Sequence, residues 1–125
     1  MTPITEPKNL GDLLKYEAPN LYSRDPATIA AGQNLPLGAV LGRKDSDGKH
    51  YAVDPDATDG TENPIGVLAN AIDATDGDRA DAILIARHAI VAKTALVWPI
   101  ALSVPQRLAY EQQLTARGVL VRDAA

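Results

Sequence analysis

Three sets of residues in this chain could do chemistry. They are the carboxylates of two DATDG pentapeptides, two histidines and three serines. The pentapeptides lie at Asp56–Gly60 and Asp73–Gly77. With Asp54 ahead of the first copy, Asp54, Asp56 and Asp59 lead into Gly60, which loosely resembles a calcium loop. Such a loop needs acids at positions 1, 3 and 5, Gly at 6 and a bidentate Glu at 12. Here the third acid falls at position 6, Gly at 7 and Ile65 at 12. Turn formation explains both copies without a metal, because Asp and Thr bond locally and Gly takes positive φ. His50 and His88 stand 38 residues apart in a chain with no cysteine, so a zinc site would need carboxylates from elsewhere. His50 follows a hairpin turn and is expected at the surface. His88 interrupts an apolar run and is expected to be a satisfied or interface side chain. None of Ser23, Ser46 and Ser103 is framed as a nucleophile, and no phosphate-cradling glycine loop is present. The reading is therefore no enzyme, no metal and no cofactor. Lys49, displayed after Asp47-Gly48, is a weak echo of a carrier-domain lysine.

The elements that would carry these residues are short and β-like. Ala39–Leu41 and Lys49–Val53 flank Asp45-Ser46-Asp47-Gly48, whose Asp-Gly favours a tight hairpin. Pro64–Ile72 reads as a third strand. Ala82–Lys93 is the longest strand candidate and is apolar on both faces, with Ile83 and Ile85 on one and Leu84 on the other. Alanine there admits a helix, while the β-branched residues favour a strand. A strand apolar on both faces is buried on both. One face is expected to meet the core and the other a neighbouring subunit, through Ile83, Ile85 and Arg87. Ser103–Ala116 is the one credible helix. Ser103 and Gln106 form a capping box, Pro105 sits in the first turn and Gly118 is the stop. Trp98-Pro99 is read as a corner that ends the long strand and packs the single tryptophan on this helix. Val119–Val121 closes the chain as a strand.

The fold class that follows is mainly β (α+β): one small domain of short strands with a helix in the C-terminal half. Residues 1–27 are read as a flexible arm and residues 28–125 as the body. Pro3, Pro7, Pro19 and Pro26 cut up the arm, which keeps Leu13, Leu14, Tyr16, Leu21 and Tyr22 available to a partner. Of 125 residues 21 are Ala and none is Phe, so burial per position is small at about 25 cal/mol per Å². A thin core points to added burial in an oligomer. The net charge of −4 speaks against nucleic acid as a partner. Residues 54–81 carry eight acids and one base, leaving the rest of the chain about +3. No apolar run approaches the roughly 20 residues of a membrane helix.

The order of blocks resembles the head decoration proteins of tailed phages, the phage lambda type. The residues that carry the resemblance are Tyr22-Ser23-Arg24, Ala31–Leu35, Leu37–Gly42, Thr58-Asp59-Gly60, Pro64–Leu68, Asp73–Asp78, Leu96–Pro99 and Arg117–Val121. The resemblance implies a structural protein without catalytic residues. It implies a homotrimer on the outer surface of the expanded phage head, made in the host cytoplasm, reinforcing the capsid against the pressure of packaged DNA. It also implies an arm that orders against the major capsid protein, which makes Leu13, Leu14, Tyr16, Leu21 and Tyr22 the expected capsid contacts. A different class stays open: a small β-barrel ligand-binding or carrier module, which would use Lys49. An enzyme subunit completed in an oligomer is a third.

Overall fold

A computed structural model describes residues 9–19, 22–98 and 102–123. A one-turn helix, α1 (Leu10–Leu13), opens it and runs directly into strand β1 (Leu14–Glu17). Asn9 starts the helix because its side chain accepts the Asp12 N–H, while the Asp12 carboxylate accepts the Asn9 N–H. Strands β2 (Arg24–Ile29), β3 (Asn34–Leu35), β4 (Val40–Arg43), β5 (His50–Ala52), β6 (Gly66–Leu68), β7 (Ile72–Asp73), β8 (Arg79–Ile85) and β9 (Ala89–Ala92) follow. A 3-10 turn at Lys93–Ala95 leads on to helix α2 (Val104–Ala116) and strand β10 (Val119–Arg122).

Five strands close a barrel in the order β2-β5-β4-β6-β8, with β8 returning to β2. The β4–β5 hairpin forms as its turn chemistry requires. Asp47 accepts the Lys49 N–H at 2.8 Å, and Gly48 takes φ 70°. Outside the barrel β1, β9 and β10 form a second sheet, with β10 parallel to β9 and β1 antiparallel. Parallel neighbours need a long crossover, and α2 is carried in it. Helix α2 begins and ends where its local chemistry predicts. Ser103 and Gln106 make both halves of the capping box, Pro105 lies in the first turn, and Gly118 takes φ 93° just past the end.

The aliphatic side chains form two cores. Ala27, Ile29, Leu41, Leu68, Ala82 and Leu84, drawn from four barrel strands, fill the barrel. Leu13, Val40, Val67, Ile85, Val91, Leu114 and Val119 fill the layer between the barrel wall, the second sheet and α2. Strand β8 serves both: Ala82 and Leu84 point into the barrel, while Ile83 and Ile85 pack in the outer core. Its two-sided apolar character is thus satisfied within one chain.

Four expectations are corrected by this architecture. Ala82–Lys93 is two strands in two sheets, separated at Ala86-Arg87-His88, where His88 takes φ 51°. Pro64–Ile72 likewise holds only Gly66–Leu68 and the start of β7. The boundary drawn between residues 27 and 28 cuts through β2. Leu13 is fully buried and β1 pairs with β9, so residues 10–17 pack with the body. Non-local pairing overrides the lack of local period there. His50 is buried, because β5 turns its side chain against β2.

Candidate functional site

Residues 22–25 and 86–88 meet where the chain leaves the barrel for the second sheet. Arg87 donates to Asp25 Oδ1 at 2.8 Å, to Asp25 Oδ2 and to the Tyr22 carbonyl oxygen at 2.9 Å. The Arg87 guanidinium holds the Asp25 carboxyl below the usual carboxylate range. Its carbon lies 5.5 Å from the centroid of the Tyr22 ring, and the His88 ring lies 5.0 Å from it on a tilted plane. Tyr22 is nonetheless 57% exposed. A large aromatic ring is thereby braced while its outer side stays open to solvent.

One turn away, Glu17 on β1 receives Ser23 Oγ–H at 2.6 Å and the Arg24 fork at 2.6 and 2.9 Å. The Arg24 hydrogen bond, and secondarily that of Ser23, holds Glu17 below the usual range against the opposing effect of burial. This cluster ties the second sheet to the barrel, and the Tyr22-Ser23-Arg24 run supplies most of it. Tyr16, also on β1, is 57% exposed.

Next to the junction a cleft of about 1000 Å³ opens between β2 and the β4–β5 hairpin. Both histidines line it, together with Arg43, Arg117, Asp45, Glu62 and Leu84. His50 Nδ1 lies 3.3 Å from the Thr28 carbonyl oxygen, and burial pushes the imidazole below its ordinary range.

The expected site residues divide. Tyr16 and Tyr22 are open, Leu14 is half-buried and packs on the outer core, and Leu21 lies outside the described residues. Leu13 and Ile85 are fully buried in the chain itself and have no surface to give a partner. Ile83 is half-buried and Arg87 partly exposed. His88, expected in an apolar strand, is exposed at the strand junction. Sequence reasoning missed Val104 and Leu108, 77% and 52% exposed one turn apart on α2. Their spacing of four along a helix already cut by a capping box was the available signal.

The reactive candidates are occupied with structure. Ser103 caps α2, Ser23 bonds Glu17, and Lys49 pairs with Asp78 at 2.6 Å. The two DATDG copies fold differently. Asp59 at the end of the first accepts from the Thr61 hydroxyl and N–H, whereas Asp73 at the start of the second accepts from Thr75. Gly60 takes φ 106°, and Gly77 has no positive φ. Among the described residues no group of three or more His, Asp or Glu is placed to share a metal ion. Nor is any helix there long and apolar enough to cross a membrane.

The described residues form a closed five-strand barrel with a docked helix and a second sheet, with a braced, exposed tyrosine on the surface and Asp59 and Asp73 engaged in turns. The family model described as bacteriophage lambda head decoration protein D matches residues 3–119, and the chain belongs to that family. Its role is decoration of the phage capsid, and its place is the virion head. No curated protein matches the chain.

Proposed function

We propose that the protein is a homotrimeric clamp on the outer surface of the expanded phage head, bound to the major capsid protein and made in the host cytoplasm. The carrying observation is the family match over residues 3–119. In this reading the trimer bridges neighbouring capsid subunits. Its binding energy is available only on the expanded lattice, so it favours that state by mass action and resists the pressure of packaged DNA. Tyr16 and Tyr22 are the capsid contacts, because both are exposed, Tyr16 on β1 and Tyr22 just ahead of β2. The subunit contact is assigned to Arg87 and the half-buried Ile83.

The test is co-sedimentation with empty expanded heads. The double variant Tyr16→Ala, Tyr22→Ala should keep its fold by circular dichroism and lose most decoration. Full occupancy by that variant moves capsid docking away from Tyr16 and Tyr22. Sedimentation equilibrium at micromolar concentration should give a trimer; a monomer near 13.2 kDa ends the trimer proposal.

A further inference from the structure

The barrel is not closed equally all round. β2 joins β8 through five residue pairs, β4 joins β5 through three, and the β4–β6 and β6–β8 joints have two each. β2 joins β5 through one pair, Ile29 with His50. His50 is therefore the backbone partner at the weakest joint and also its side-chain fastener. Its carbonyl accepts the Ala30 N–H at 3.2 Å and the Gln33 amide at 3.1 Å, and its ring faces the Thr28 carbonyl. Gln33 completes the closure by accepting the Ala52 N–H at 2.9 Å.

The surroundings of the ring disfavour a proton on it. Only 8% of the residue is exposed. Arg43 on β4 repels the imidazolium. Asp25 on β2 attracts it, but that carboxylate is already bound by Arg87. Arg117 and His88 lie along the same cleft with Asp45 and Glu62; Glu62 accepts the Gly60 N–H, and the adjoining Lys49 is paired with Asp78. The Thr28 carbonyl favours the proton, and burial outweighs it.

We propose that the β2–β5 seam is a proton-operated latch: neutral His50 holds it shut, and acid opens it, parting β2 from the β4–β5 hairpin and widening the cleft onto Leu84. The other four joints stay closed. An opened seam exposes the ring to water, so the open form binds a proton more readily than the closed one. The closed seam is complete above the ordinary histidine range, about 6.5, and is lost as pH falls below it. Asp and Glu titrate lower, near 4, so the two windows are separate.

Amide hydrogen exchange of the full chain between pH 7.5 and 5, corrected for intrinsic rates, tests this. Protection of the Ala30 N–H should fall about tenfold as His50 titrates. The Ala69 N–H, bonded to Ile83 O at 2.8 Å on the far side of the barrel, should hold. His50→Gln should abolish the pH dependence at Ala30, and His88→Gln should keep it. Joint loss at Ala30 and Ala69, or an unchanged profile in His50→Gln, overturns the latch. Should His50→Gln not fold, the ring resonances of the unaltered protein decide. Loss at Ala30 must track the His50 titration, and tracking His88 or neither ring overturns the proposal.

Discussion

Trp98 and Tyr110 stack with ring centroids 5.9 Å apart and planes 17° from parallel. Tyr110 is buried on α2, while Trp98 is half-buried at the end of the segment that follows β9. The pair fixes the helix against the outer core across a crossover in which nothing else is aromatic. Trp98→Ala should cost about 2–3 kcal/mol in urea titration, below the roughly 3–5 kcal/mol of a fully buried ring. A loss under about 1 kcal/mol would mean that α2 docks without it.

Leu13 has no exposed surface and shares the outer core with Val91 on β9. Leu13→Ala should therefore destabilise the fold by about 2–5 kcal/mol. Removal of residues 1–22 should lower the melting temperature sharply, because it takes β1 and Leu13 together. Near-native melting after that deletion would show that β1 contributes nothing to the body.

Gly42 and Gly77 predict opposite outcomes for one substitution. A Cβ at Gly42 would come within 2.5 Å of the Thr61 carbonyl oxygen and 2.7 Å of its Cα, both backbone atoms. At Gly77 nothing lies within 4 Å. Gly42→Ala should cost about 2 kcal/mol or more, and Gly77→Ala should stay within about 0.5 kcal/mol of the parent. Equal melting temperatures for the two variants would contradict the close approach at Thr61.

Acid stability should fall in a second window below that of His50. Glu17, Asp25, Asp59 and Asp73 are all held below the usual carboxylate range by hydrogen bonds. The unfolded chain binds their protons more readily, so their contribution is full above about pH 4 and lost as pH falls through the folded values. Glu17→Gln should cost about 1–2 kcal/mol at pH 7 and flatten the acid limb. A limb as steep as the parent's would remove Glu17 from the account.

Metal chelation should leave the melting temperature unchanged. Asp59 and Asp73 each hold Thr61 or Thr75 through Oδ1, and among the described residues no group of three carboxylates or histidines is placed to share an ion. A rise of several degrees on adding calcium would make the aspartate turns a binding site.

The helix and the hairpin were legible because their chemistry is local. Ser103, Gln106, Pro105 and Gly118 announce α2 within sixteen positions, and Asp47-Gly48 announces its turn. The break in Ala82–Lys93 was hidden because the residue in the left-handed region is His88, where glycine is the usual sign. β1 was hidden because its partner lies some seventy residues on, and no period in the segment advertises it. His50 was misplaced for a related reason: a residue beside a turn reads as exposed, yet the barrel brings β2 across it. The open aromatics were visible as residue types. Their exposure was not, since Leu13 and Tyr16 look equally available in a segment cut by prolines.

β8 lines the barrel with Ala82 and Leu84 and the outer core with Ile83 and Ile85, so the two cores share a wall. Neither can melt while the other stands. Heat should meet the two cores as a single cooperative unit, which offsets the thin alanine-rich interior.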